Sequence, residues 1–207
     1  MEKRKLNRHI VTYSLIAINI LYFLFLSFIG DTETDIDMMI KYGAMYEPLL
    51  IEQEEYFRLL SSCFMHFGIE HLVNNMLVLF LIGDNLERAL GHIKFLVLYI
   101  VSGIAGNVLS LYYHELIGDF VVSAGASGAV FGISGALLWV LMRNKGQLED
   151  LSLARILLMV MMNIYIGVTS SGIDNAAHIG GLIGGFILSV LFYRLPNKRN
   201  RGEWDYM

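Results

Sequence analysis

The sequence predicts an all-α membrane protein with six transmembrane helices and both termini in the cytoplasm. Of its 207 residues, 56% are hydrophobic and only 16% are charged, whereas an average soluble domain has roughly 25% charged residues. Six windows contain no Asp, Glu, Lys or Arg, and the basic residues concentrate between alternate windows. This composition argues against a disordered chain and an ordinary soluble enzyme, and the single cysteine argues against a disulfide scaffold.

The uncharged windows have the lengths of membrane-spanning helices. About 20 apolar residues cross a hydrocarbon core of about 30 Å, and five of the six windows contain 18 to 23 residues. The window at 71–83 is shorter and becomes a full span only if polar residues on both sides lie at the interfaces. A soluble bundle of very apolar helices is the alternative, but such uncharged runs are rare outside bilayers. We therefore predict helices over 9–29, 66–86, 94–114, 126–143, 151–169 and 175–194, in a single domain over 1–207.

The distribution of basic residues predicts the orientation. Only Lys41 and Arg58 fall on one side of a six-span arrangement, and the other thirteen Lys and Arg residues fall on the opposite side. Because Lys and Arg accumulate in cytoplasmic loops, both termini are expected in the cytoplasm of a multi-pass protein of the cell (inner or plasma) membrane. These basic flanks can also contact anionic lipid headgroups, and they do not indicate nucleic-acid binding. The thirteen residues are Lys3, Arg4, Lys5, Arg8, Arg88, Lys94, Arg143, Lys145, Arg155, Arg194, Lys198, Arg199 and Arg201.

The longest connection, residues 31–65, is predicted to lie outside the cytoplasm between the first two spans. It mixes eight acidic residues with apolar groups such as Met38-Met39-Ile40 and Leu49-Leu50-Ile51. This mixture favours a folded loop that dips partly into the membrane over a flexible linker.

Polar side chains in the second span are costly in lipid and so need a role. His71 and Asn75 are four residues apart and share one helix face. Their alternative role is to bind neighbouring helices by hydrogen bonds. A zinc site with His66, Glu70 and His71 is disfavoured because the histidine spacing suits one helix face poorly and no third ligand is evident. We expect no metal site.

The fourth span opens with a serine between small residues, Gly125-Ala126-Ser127-Gly128. A reactive serine needs open space and a backbone N–H that can face its substrate, and flanking glycines supply both. Gly128 and Gly132 equally suit simple close packing of helices. The motif alone leaves both interpretations open.

The sixth span places His178 just before Gly180, Gly181, Gly184 and Gly185. These glycines allow close approach to the small face of the fourth span, which would bring His178 towards Ser127. A helix from Ser127 to Met142 is about 24 Å long, so Ser127 is expected several ångströms below the outer surface. His71 and Asn75 should lie at a similar depth. The sequence thus predicts four polar groups at one level.

The chain resembles the rhomboid family of intramembrane serine proteases along nearly its whole length. The residues that carry the resemblance are Phe57-Arg58, His66-Phe67, His71 through Asn75, Glu87-Arg88 with Leu90-Gly91, Gly125 through Ala129, and Ala177-His178 with Gly181 and Gly185. The resemblance implies a rhomboid-like fold of the basic six-span bacterial form, without an extra soluble domain or a seventh span.

The resemblance also implies residue roles. Ser127 would be the nucleophile and His178 the general base, while His71 and Asn75, with the Ser127 N–H, would bind the oxyanion. Phe131 would stack on His178, and Gly125, Gly128 and Gly181 would support the site. Phe131 and Phe57 stand where the family often has tyrosine and tryptophan. No carboxylate lies in the uncharged windows, which favours a dyad over a triad.

We therefore predict a serine endopeptidase without cofactor or metal that cleaves single-span or multi-span membrane proteins near the extracytoplasmic surface of the lipid bilayer. A proteolytically silent relative that binds client helices is one alternative, against which both dyad residues count. A small transporter is another, but the chain shows neither repeats nor intramembrane carboxylates in its uncharged windows.

Overall fold

The computed structural model describes residues 9–170 and 172–194, and this part of the chain is almost entirely helical. Its α-helices are α1 Ile10–Ile29, α2 Ile36–Lys41, α3 Glu47–Glu52, α4 Arg58–Ser61, α5 Gly68–Leu90, α6 His92–Ile117, α7 Ser127–Arg143, α8 Leu153–Thr169 and α9 Asn175–Phe192. A 3-10 turn, Ser62–Phe64, follows α4, and β1 Gln147–Leu148 pairs antiparallel with β2 Leu151–Ser152. The short hairpin is the one sheet in the described ranges and adds little to a helical fold.

Three of the described helices, α1, α6 and α9, are long and apolar enough to cross a membrane. A fourth span results if α4 and its 3-10 turn are joined with α5, although the chain bends by 90° between them. The apolar helices α7 and α8 are shorter, with 17 residues each. This is a multi-pass helical membrane protein, and the count of six spans stays a prediction.

The helix ends differ from the predicted ones where charged residues were taken as boundaries. Helix α5 begins at Gly68, so His66 precedes it, and α5 runs through Arg88 to Leu90. Only Gly91 separates it from α6, which begins two residues before the predicted start at 94 and ends three residues after the predicted end at 114. The reason is that Arg88 and its acidic neighbours find partners at this end of the bundle, so the helix continues through them. Helix α8 begins at residue 153 because residues 151–152 belong to the hairpin.

Helix α7 lies at the centre and is buried on nearly every side. It packs most extensively against α9 and also contacts α6, α5 and α8. Its glycines bring the backbones together: a Cβ at Gly181 or Gly185 of α9 would overlap the backbone of Gly128 or Gly132, respectively. The structure confirms the predicted close packing of α7 and α9 through small residues.

The glycines of α9 form a second face that the sequence did not separate from the first. A Cβ at Gly180 would lie 2.7 Å from the Ala105 carbonyl oxygen, and one at Gly184 would lie 3.0 Å from the Ala105 Cβ. Ala105 belongs to α6. Helix α9 is therefore wedged between α6 and α7, which limits how its first turn can move.

Residues 31–65 are folded, as expected, into α2, α3, α4 and the 3-10 turn. Arg58 is only 3% exposed, and its Nη1 donates to the carbonyls of Ile40, at 2.6 Å, and Ala44, at 2.8 Å. Met45 and Ser123 then exchange backbone hydrogen bonds of 2.8 and 3.0 Å. The loop is thus joined to the segment that leads into α7.

The opposite end of the bundle collects charged groups. Arg88 pairs with Glu149 of the hairpin, and the Lys94 Nζ donates to the Phe192 carbonyl at 3.0 Å. These contacts place the end of α5, the start of α6, the hairpin and the end of α9 together. The predicted basic flanks at residues 3–8 and 198–201 lie outside the described residues.

Candidate active site

The segment before α7 is held by three neighbouring elements. Besides the Ser123 pairing, the Gly125 N–H donates to the Ser62 carbonyl at 2.9 Å. The Ala126 N–H points to the Nε2 of His66 at 3.4 Å. Ser127 is the first residue of α7 and is partly exposed. Its hydroxyl therefore stands on a loop-to-helix junction whose backbone is fixed on both sides.

His178 lies in the first turns of α9, beside the start of α7. Its ring stacks on Phe131 with the centroids 4.1 Å apart and the planes inclined by 10°. Because Phe131 follows Ser127 by four residues, both side chains occupy one face of α7. A Cβ at Gly128 would lie only 3.5 Å from the carbonyl oxygen of Ala177. The structure thus brings the first turn of α7, which carries Ser127, together with His178.

The imidazole of His178 has little polar support in the described part of the chain. The residue is 8% exposed, and its Nδ1 is buried without a hydrogen-bond partner there. A carboxylate bound to Nδ1 would define a triad, as in serine proteases that orient their histidine by an acid. Within the described residues, the His178 ring is instead held by its packing on Phe131.

His71 extends from α5 towards the same junction, and Asn75 follows it on the same face of that helix. Gly125 has φ +155°, a conformation that favours glycine, and a Cβ there would lie 2.7 Å from Cε1 of His71. The Nδ2 of Asn75 donates to the His71 carbonyl at 3.1 Å, which leaves its second amide proton free. His71 therefore contacts the glycine that precedes the serine segment, and Asn75 lies one turn further along α5.

His66 is fully buried and contacts His71 edge-on, with ring centroids 5.1 Å apart. Its Nε2 accepts from the Ala126 N–H, next to Ser127, a role that the sequence did not indicate although His66 was weighed as a metal ligand and is part of the family resemblance. Within the described ranges, no group of three or more His, Cys, Asp or Glu side chains is arranged to hold a metal ion.

Sequence reasoning also missed a polar contact beneath His178. The Asp174 carboxylate accepts from the Ala177 N–H at 2.9 Å and from the Ser110 hydroxyl of α6. The available signal was Asp174 itself, which stands just before Asn175 as a typical helix N-cap residue. Its second partner, 64 positions away, carries no sequence signal.

Comparisons with known proteins show which family has sequences similar to this chain. The family model described as "Rhomboid domain" matches residues 53–195. Rhomboid protease GluP of Bacillus subtilis (strain 168) is 40% identical over 179 residues, which are 86% of this chain and 34% of that protein. RHOMBOID-like protein 7 of Arabidopsis thaliana is 34% identical over 80% of this chain and 50% of its own length. Rhomboid protease AarA of Providencia stuartii is 31% identical over 91% of this chain and 74% of its own length. The chain thus spans only a third to a half of the first two relatives.

Proposed function

The chain belongs to the rhomboid family, and from this premise we propose that it is an intramembrane serine endopeptidase with Ser127 as nucleophile and His178 as general base. The observation that carries the proposal is the stacking of His178 on Phe131, one turn after Ser127, at a junction of α7 and α9 that is close-packed through glycine. This contact supports the proposal that two helices from distant parts of the chain bring a hydroxyl and an imidazole to one level.

The proposed reaction begins with proton transfer. The Ser127 Oγ attacks the scissile carbonyl as His178 takes its proton, because a neutral hydroxyl is a weak nucleophile. The tetrahedral oxyanion accepts hydrogen bonds from His71, Asn75 and the Ser127 N–H. His178 returns its proton to the leaving amine, and the acyl-enzyme forms. In the second half, His178 takes a proton from water as the water oxygen attacks the acyl carbonyl, and it then returns the proton to the Ser127 Oγ as the ester bond breaks and the second product leaves with a new carboxyl group.

The proposed substrates are single-span or multi-span membrane proteins. A helical substrate must unwind locally before cleavage, because its carbonyls are already bonded within the helix. Helix α7 is about 26 Å long and shorter than a hydrocarbon core of about 30 Å. Its first residue, Ser127, is therefore proposed to lie just below the extracytoplasmic surface, where water can reach it.

A serine-reactive fluorophosphonate probe tests the nucleophile directly. We expect labelling of the wild-type chain in proteoliposomes, with none in Ser127→Ala, and cleavage of a model transmembrane substrate lost in Ser127→Ala and in His178→Ala. Ser134→Ala is the matched control, since Ser134 lies in α7 and donates only to its own helix, at the Val130 carbonyl. Undiminished cleavage by Ser127→Ala would contradict the proposal, and absence of labelling in the wild type would favour a silent client-binding protein.

The proposed topology has six spans, with both termini in the cytoplasm of the cell membrane. The proposal is supported by the positions of Arg88 and Lys94 at one end of the bundle and of Arg58 at the other, because Lys and Arg accumulate on the cytoplasmic side. Reporter fusions at each terminus and inside residues 31–65 distinguish the two sides. A reporter that is active only outside the cytoplasm should work in the loop and fail at both termini; activity at either terminus would refute this orientation.

A further inference from the structure

Asp174 stands at the start of α9, one turn before His178, and both of its carboxylate oxygens are occupied. Oδ1 accepts from the Ala177 N–H at 2.9 Å, and Oδ2 accepts from the hydroxyl of Ser110 in α6. The Asp174 carbonyl accepts from the His178 N–H at 3.2 Å. One residue thereby joins the cap of α9, the backbone of the proposed general base and a neighbouring helix.

Ser110 holds this cap in place from a buried position. It is 4% exposed, whereas Asp174 borders a groove of about 500 Å³ between α6 and α9. Water in such a groove competes for an exposed carboxylate, so a cap without a second partner is free to turn away. The Ser110 hydroxyl keeps the carboxylate turned towards the helix end.

Backbone contacts next to the pair make its effect on His178 direct. A Cβ at Gly106 of α6 would lie 2.7 Å from the Ala177 carbonyl, so the first turn of α9 touches α6 immediately beside Ser110. His178 has no hydrogen bond on Nδ1 within the described residues to correct its orientation. Its imidazole must therefore be placed by the backbone of this turn and by the stacking on Phe131.

From this geometry we infer that Asp174, clamped by Ser110, is a positioning residue for His178. The pair sets the depth and rotation of the first turn of α9 relative to α6, and the ring follows. Neither residue touches the reacting atoms. The inference rests on the proposed function, because it assigns a role within that reaction.

The test compares Ser110→Ala, Asp174→Ala, the double variant and Asp174→Asn in proteoliposomes with a model transmembrane substrate. A misplaced base slows chemistry and leaves substrate binding intact, so kcat should fall while KM stays within about twofold. We expect about a tenfold loss in Asp174→Ala and a smaller one in Ser110→Ala. The double variant should be no slower than Asp174→Ala, because the residues act as one unit. Asp174→Asn should recover kcat to within about threefold, since asparagine is an equally good N-cap.

Matched controls separate positioning from general loss of structure. Asp35→Ala removes another N-cap aspartate, which accepts from the Met38 N–H at 2.9 Å, and should leave kcat unchanged. Ser134→Ala removes a buried hydroxyl of α7 and should also leave it unchanged. If Asp174→Ala does not fold, the kcat of Ser110→Ala alone tests the inference, because this variant keeps the Asp174 cap of α9.

The inference is overturned by unchanged kcat in Ser110→Ala, by a rise in KM alone, by multiplicative losses in the double variant, or by an equal loss in Asp35→Ala. Wild-type cleavage that depends on Ser127 must be present first. Its absence would refute the proposed function and this role with it, whereas its presence with fully active Asp174→Ala would refute only the positioning role.

Discussion

The imidazole of His178 lies almost parallel to the ring of Phe131, with the centroids 4.1 Å apart. This contact joins α9 to α7 at the turn that carries Ser127. Since Nδ1 has no partner in the described part of the chain, the stacked ring is the main restraint on the imidazole plane. The ring plane of the proposed base is thus set by an aromatic surface and not by a carboxylate bound to Nδ1.

Replacing Phe131 should therefore slow the reaction. Phe131→Ala removes a stacking partner worth about 1 kcal/mol, and we expect kcat to fall about fivefold to tenfold. Phe131→Tyr keeps the ring and should stay near wild type. Cleavage kinetics on a model transmembrane substrate measure both, and equal losses in the two variants would show that stacking is not what orients His178.

The oxyanion role of Asn75 predicts a loss in turnover. Asn75→Ala removes one proposed donor and should lower kcat by about 100-fold with little change in KM. This loss is smaller than that of Ser127→Ala. Asn74→Ala is the matched control, because Asn74 is the adjacent residue of α5 and is exposed. Comparable losses in the two variants, or an effect of Asn75→Ala on KM alone, would contradict the assignment.

The approach of α7 and α9 was predictable because glycine faces allow only a few ways of packing. Gly128 and Gly181 carried that signal directly. The helix ends were harder to predict, because Glu87 is charged yet buried and lies inside α5. The sequence cannot reveal that the first turn of α1 supplies its partners. The same holds for Ser110 and Asp174, whose contact exists only once α6 and α9 have packed.

Close packing of these helices predicts an asymmetry between neighbouring glycines. A Cβ at Gly185 would overlap the backbone of Gly132, whereas one at Gly184 would meet the Ala105 Cβ at 3.0 Å. Because the added Cβ would overlap the Gly132 carbonyl oxygen, Gly185→Ala requires the two helices to move apart and should cost about 1–3 kcal/mol. The melting temperature of the purified protein should fall by about 5 °C. Gly184→Ala, the same change one residue away, should cost less, and a reversed order would refute this packing.

The buried Glu87 carboxylate is expected to stabilise the fold at the end of the bundle opposite the proposed dyad. It is 1% exposed and accepts from the N–H groups of Val11 and Thr12 at 3.0 and 2.8 Å, and from the Thr12 hydroxyl at 2.6 Å. The carboxylate thus satisfies donors that the start of α1 cannot satisfy itself. Glu87→Gln replaces one accepting oxygen by an N–H₂ group, which is itself a donor and cannot accept a hydrogen bond from the N–H groups of α1.

We expect Glu87→Gln to cost about 1–3 kcal/mol, because buried donors lose their acceptor. The melting temperature should fall while kcat, measured below the transition, stays near wild type. Glu149→Gln is the control: its side chain is 42% exposed and pairs with Arg88, and a surface ion pair contributes little. Equal destabilisation by the two variants would mean that charge at this end, and not the capping of α1, is what stabilises the bundle.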